Sequence, residues 1–239
     1  MTTQKNPNLV TGKEIEGSDI EIQGDGVKLS AYQAKPKGGG SGPGIIVIHE
    51  NRGLVPYTRD VVDGLASSGY TAVAPDLLSR DGGTASIDDI PTALQGISRD
   101  RHLGDVQSVA AYLKGLSGIT RIGIIGFCFG GGIAWHFAAT NPDVAAAVPF
   151  YGANPPMETV PNIKASVFAV YGELDERINA GIPAITEAVK AAGTTFEMKT
   201  YAGAGHAFHN HTNPPDRYNA TAASDAWADA LAWFDKHLR

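Results

Sequence analysis

A mostly parallel sheet with helices on both faces, entered through an N-terminal antiparallel hairpin, is the α/β architecture that this chain predicts. Two observations carry it. From Gly44 onward one scheme repeats, a short β-branched run, a loop and a stretch with helical periodicity, which is the order of successive βα units. The apolar runs are nearly continuous, as strands are when both faces of a sheet are covered. With 239 residues, 43% of them hydrophobic, the chain is long enough to bury one substantial core. A single domain over 18–239 is expected, preceded by a polar, aperiodic surface segment over 1–17.

Each element has its own signal. DIEIQGDGVKLSAYQAKP (19–36) alternates apolar and polar residues on both sides of Gly24-Asp25-Gly26, the pattern of a hairpin. KGGGSGPG (37–44) is a loop, and after it the period changes. Strands are predicted at GIIVIHE (44–50), YTAVAPD (70–76), RIGIIGF (121–127), AAAVPFYG (145–152), SVFAVYGELD (166–175) and FEMKTYAG (196–203). Helices are predicted near 57–69, 98–116, 129–140, 178–192 and 217–238. No internal repeat or interdomain linker interrupts this order.

Composition narrows the function classes. A net charge of −6 supplies no basic field for nucleic-acid backbones or anionic membrane surfaces, so a small-molecule partner is expected, with no nucleic acid and no membrane. The single Cys excludes an internal disulfide and a cysteine-based zinc cluster, and an unpaired thiol suits a reducing compartment. The N-terminal residues hold no apolar signal core and no segment reaches the length of a membrane span, so a cytoplasmic protein is expected. Nothing in the sequence sets its oligomeric state.

That one cysteine lies in RIGIIGFCFGGGIAWHFAA (121–139), where a predicted strand passes through Gly126-Phe127-Cys128-Phe129-Gly130 into a predicted helix. A strand, a glycine-framed turn and a helix outline the nucleophile elbow of the α/β-hydrolase fold, with Cys in place of Ser. Gly126 and Gly130 supply the small neighbours of the strained turn. The helix N-terminus favours a thiolate at Cys128. In this fold the nucleophile is followed along the chain by an acid and then a histidine. Asp175 and His206 stand in that order after two later strands, with Glu173 and Glu176 as alternative acids. His102, His136 and His237 read as ordinary helical or surface histidines. His209 and His211 lie beside His206, but no nearby Cys or acidic cluster completes a metal site, and none is expected. After the first parallel strand, His49, Glu50, Asn51 and Arg52 crowd polar groups at the sheet edge. The loop there supplies the second oxyanion amide in this fold, which points to the backbone N–H groups of Asn51 and Phe129. Glu50 could face the thiol; the less favoured alternative for the tetrad is a solvated loop.

Together these segments resemble the dienelactone hydrolase (carboxymethylenebutenolidase) family. VIHENRGL, APDLLSR, GFCFGG, GELD and AGHAF occur in the family's order, from about Gly44 to the C-terminal helix. The resemblance implies Cys128 as nucleophile, Asp175 and His206 as its triad partners, and Glu50 as a carboxylate that helps generate the thiolate. It also implies Arg80 as an anchor for a substrate carboxylate and Tyr151 as a pocket residue. Where the best-known members carry a second arginine, four residues past the histidine, this chain has Asn210, which is expected among the substrate-binding residues with Arg80 and Tyr151. The expected activity is cofactor-independent hydrolysis of small lactones or esters through an acyl-enzyme. The alternatives are a carboxylesterase or thioesterase of the same fold, a catalytically silent binding protein, and a redox sensor; the lack of a resolving Cys weighs against the last.

Overall fold

The structure, a computed structural model, describes Leu9 and residues 12–239. Most of the expected surface segment over 1–17 therefore lies outside the described residues. The chain divides into two compact units, Met1–Ile122 and Gly123–Arg239.

In the first unit, β1 (Ile15–Gln23) pairs antiparallel with β2 (Lys28–Pro36), Gln23 opposite Lys28 and Ile15 opposite Pro36. The hairpin starts earlier than its clearest alternation, because residues 15–18 continue the ladder and Glu16 meets Lys35 across it at 3.4 Å. Its turn closes through Gly24 N–H to the Val27 carbonyl at 2.8 Å. β2 also pairs antiparallel with β4 (Thr71–Pro75), and β4 runs parallel to β3 (Gly42–Ile48), in the order β1-β2-β4-β3. Ile45, Ile46, Val47 and Ile48 are all fully buried, as their unbroken apolar run predicts. α1 (Pro56–Ser67) joins β3 to β4 and buries Val61, Val62, Leu65 and Ala66. Two further helices follow. α2 (Ile90–Gly96) falls where the sequence predicts no helix. Its start is nonetheless written in Asp89, whose side chain accepts the Thr92 N–H at 3.2 Å, and in Pro91 in the first turn. α3 (Arg99–Gly115) matches its prediction.

The strand β5 (Ile119–Phe127) leads into the second unit, where the order is β5-β6-β7-β8. β6 (Val144–Phe150), β7 (Ser166–Gly172) and β8 (Phe196–Tyr201) pair parallel. β8 ends that order, and Glu197, Met198, Lys199 and Thr200 are all exposed, so it is an edge strand instead of the doubly covered one expected. α4 (Phe129–Thr140) and α7 (Ala220–Leu238) lie close to their predicted spans. The helix predicted over 178–192 is two helices, α5 (Glu176–Asn179) and α6 (Ile182–Ala192). Pro183, in the first turn of α6, has no N–H to offer the Asn179 carbonyl and its ring would crowd that group. No helix among the described residues is long and apolar enough to cross a membrane.

Candidate active site

β5 delivers Cys128 to the N-terminus of α4 with φ 55° and ψ −113°, a backbone region that a side-chain-bearing residue seldom occupies. Hydrogen bonds on both sides hold it there. The Cys128 N–H donates to the Phe150 carbonyl at 3.0 Å, and its carbonyl accepts the Gly132 N–H at 3.2 Å. A Cβ on Gly126 would lie 2.0 Å from the Gly130 carbonyl oxygen, so the turn closes only with glycine at that position. Phe129 supplies the first amide of α4.

Two loops bring the partners. Asp175 follows β7, and His206 lies in the loop after β8. The Leu174 N–H donates to the Ala204 carbonyl at 2.9 Å, tying the two loops together. That approach requires Gly172, where a Cβ would come within 2.6 Å of the Gly205 carbonyl and 2.7 Å of the Ala204 carbonyl. His206 Nδ1 then lies 2.5 Å from Asp175 Oδ2, and His206 Nε2 lies 3.0 Å from Cys128 Sγ. The carboxylate can only accept, so Nδ1 carries a hydrogen, and Nε2 is the nitrogen within reach of the sulfur's proton. Asp175 is buried, whereas the His206 side chain is 31% exposed and Cys128 is half-buried. The arrangement can move a proton between sulfur and imidazole while the carboxylate fixes the ring.

Of the three candidate acids, Asp175 is therefore the one that meets His206. Glu173 Oε2 instead accepts the Gly203 N–H at 2.7 Å, and Glu176 opens α5. Tyr151 is fully buried at φ 37°, with its ring edge-on to His206 at 5.3 Å and to Phe208 at 5.6 Å. Asn210 is also buried, and its Oδ1 accepts from the Thr212 N–H and hydroxyl at 2.9 and 2.7 Å. Both side chains thus brace the histidine loop. His209 packs its ring against Phe127, Phe150 and Trp227 at 5.3, 5.2 and 5.8 Å, and burial pushes its pKa down to about 3. Among the described residues no three His, Cys, Asp or Glu side chains are grouped to hold a metal ion.

In the first unit, Glu50 is buried just past β3 and Asn51 is exposed. Arg80 lies in a short 3-10 turn, Ser79–Asp81. Its Nε and Nη2 both donate to Asp105 Oδ1, at 2.9 and 2.8 Å, and its Nη1 donates to the Asp25 carbonyl at 3.1 Å. Asp105, on α3, is a partner that sequence reasoning missed, since one Asp in a helix carries no signal of burial. His49 was assigned no role, yet it is wholly buried between β3 and β4. Asp76 was missed as well: its carboxylate accepts the Leu78 N–H and both the N–H and hydroxyl of Thr84, at 2.7 to 3.0 Å. Thr84 Oγ1 in turn accepts the Leu54 N–H at 3.0 Å.

The profile of the dienelactone hydrolase family matches residues 29–238. A protein of Escherichia coli O157:H7 named "Putative carboxymethylenebutenolidase" is 35% identical over 237 residues, covering 92% of this chain and 86% of that protein. The crystal structure of a "Putative Dienelactone Hydrolase" from Klebsiella pneumoniae subsp. pneumoniae MGH 78578 superposes with a TM-score of 0.86 at 32% identity, covering 94% of this chain and all of that one. P91, a dienelactone hydrolase-like promiscuous phosphotriesterase from metagenomic libraries, shares the fold with a TM-score of 0.82 at 21% identity, over 94% of this chain and 99% of its own. A profile match that runs from β2 to the end of α7, joined by relatives of nearly equal length, makes this chain a member of the dienelactone hydrolase family, hydrolases of the α/β-hydrolase fold.

Proposed function

We propose that the chain hydrolyses small carboxylic esters or lactones through a thioester on Cys128. The observation that carries this reading is the continuous contact from Asp175 through His206 to Cys128 Sγ. Cys128 attacks the acyl carbon as its thiol proton passes to His206 Nε2 or to Glu50, and Asp175 stabilises the imidazolium that forms in the first case. The carbonyl oxygen takes up negative charge, for which the amides of Phe129 and Asn51 are the assigned donors. When the C–O bond breaks, the leaving alkoxide takes that proton back from whichever group received it, the His206 imidazolium or the Glu50 carboxyl; in a lactone it stays tethered to the acyl group. His206 then removes a proton from water, the hydroxide attacks the thioester, and the acid departs as Cys128 recovers its proton. The reaction consumes water alone, and an unpaired nucleophilic thiol fits a reducing, cytoplasmic setting.

The test is turnover of chromogenic short-chain esters and small lactones with mass spectrometry of the rapidly quenched enzyme. Wild-type protein should carry an acyl mass on Cys128. Cys128→Ala should lose hydrolysis with its fold retained, and Cys128→Ser should keep only a weak residue, because a hydroxyl is far harder to deprotonate than a thiol. Near-normal turnover by the alanine variant would overturn the reading.

A further inference from the structure

We infer that His49 is a positioning residue, locking one peptide plane so that the Asn51 N–H is presented to an anionic oxygen. The inference rests on the oxyanion assignment of Asn51 proposed above. The Leu77 N–H donates to His49 Nε2 at 3.2 Å. That nitrogen must therefore hold the lone pair, which leaves the ring hydrogen on Nδ1. Nδ1–H then donates to the Glu50 carbonyl at 2.7 Å. The Gly53 N–H donates to the same carbonyl at 3.3 Å.

The Glu50 carbonyl and the Asn51 N–H belong to one planar trans peptide unit and point in opposite directions. Holding the carbonyl against a buried ring turns the N–H away from that ring. Three of the amides that follow are occupied: Gly53 donates to Glu50, Leu54 to Thr84 Oγ1 and Val55 to the Gly53 carbonyl. For the Asn51 N–H no hydrogen bond is found among the described residues. A donor whose direction is set and which is itself unspent is what an oxyanion requires, since a donor already aimed needs no reorganisation as charge develops. The anchor matters as much as the bond. Leu77 lies just beyond β4, so the imidazole ties the plane to the end of a neighbouring strand instead of to its own loop. Burial keeps the His49 pKa below its ordinary value, so the ring stays in the neutral form that can accept from Leu77.

Three substitutions separate the two ring nitrogens. Asn can place an amide N–H near the Nδ1 position and keep the bond to Glu50. Gln can place its amide oxygen near Nε2 and keep only the bond from Leu77, and Phe keeps the ring shape with neither. His49→Asn should hold kcat within about threefold of wild type, whereas His49→Gln and His49→Phe should lower kcat by about 10- to 1000-fold with KM little changed. Alkylation of Cys128 by iodoacetamide uses no oxyanion donor and should proceed at the wild-type rate in all three. If Gln does not fold, Phe serves in its place. Equal kcat for Asn and Gln, or alkylation falling in parallel with kcat, would overturn the inference. Hydrolysis that persists in Cys128→Ala would instead overturn the reading beneath it.

Discussion

Asp175 does two jobs with one carboxylate. Oδ2 meets His206, while Oδ1 accepts the Ile178 N–H at 3.4 Å and caps α5. The two roles separate on substitution. Asn is as good a helix cap as Asp, so Asp175→Asn should melt close to wild type. Its NH2 group, however, faces His206 Nδ1 and makes that nitrogen an acceptor, which puts the ring hydrogen on Nε2 and leaves no lone pair for the thiol proton. kcat should fall by about two to four orders of magnitude, with Glu173→Gln near normal as the control; steady-state kinetics and a thermal melt check both. The sequence left Glu173, Asp175 and Glu176 as alternatives because chain order cannot say which of three clustered acids points at a loop thirty residues away. What decides it is the approach of Ala204 to Leu174 across Gly172, a tertiary fact. Likewise the resemblance implied pocket contacts for Tyr151 and Asn210. Their burial follows from a positive φ at Tyr151 and a turn built on Thr212, neither of which a short motif carries.

At the scale of elements, periodicity served well wherever burial was two-sided. β3, β5 and β7 are legible as apolar runs because both of their faces are covered. Where one residue outweighs the pattern, as Pro183 does in splitting α5 from α6, period alone misleads. It is also silent on contacts between elements. The 3-10 turn at Arg80 is fastened to α3 through Asp105, whose side chain is 1% exposed against 27% for Arg80. Asp105 Oδ2 has no hydrogen-bond partner among the described residues, so the carboxylate leans on the guanidinium. Arg80→Ala should leave a buried, uncompensated charge and lower stability in chemical denaturation by roughly 2–4 kcal/mol, less than a wholly buried pair because water reaches part of Arg80. Arg80→Ala/Asp105→Asn should recover part of that loss. An anchor for substrate carboxylates with no structural duty predicts otherwise: stability within about 1 kcal/mol of wild type, and a raised KM confined to anionic esters.

For the whole molecule, the βα order and the succession of Cys128, Asp175 and His206 along the chain are readable in the sequence, because they are properties of chain order. The division between Ile122 and Gly123 is not, since it falls inside β5, where no change of composition marks it. Nor is the fate of the histidines, which sets how the whole fold responds to acid. Burial holds the pKa values of His49, His102 and His209 below the usual 6.5, and His211 adds repulsion at His209. His209 goes furthest, to about 3. Between 6.5 and that value the unfolded chain binds a proton at this position that the folded chain refuses. Stability is therefore complete above about pH 7 and declines as the pH falls, by about 1.4 kcal/mol per pH unit for one fully linked proton. At pH 5 the share of His209 comes to about 2 kcal/mol. His209→Phe keeps a flat ring among Phe127, Phe150 and Trp227 and removes the titration. Denaturation curves taken from pH 7 to pH 5 should show the variant losing less stability than wild type by about that amount, with His49 and His102 accounting for much of the remaining slope. Parallel curves would mean that His209 takes up its proton without leaving the folded state.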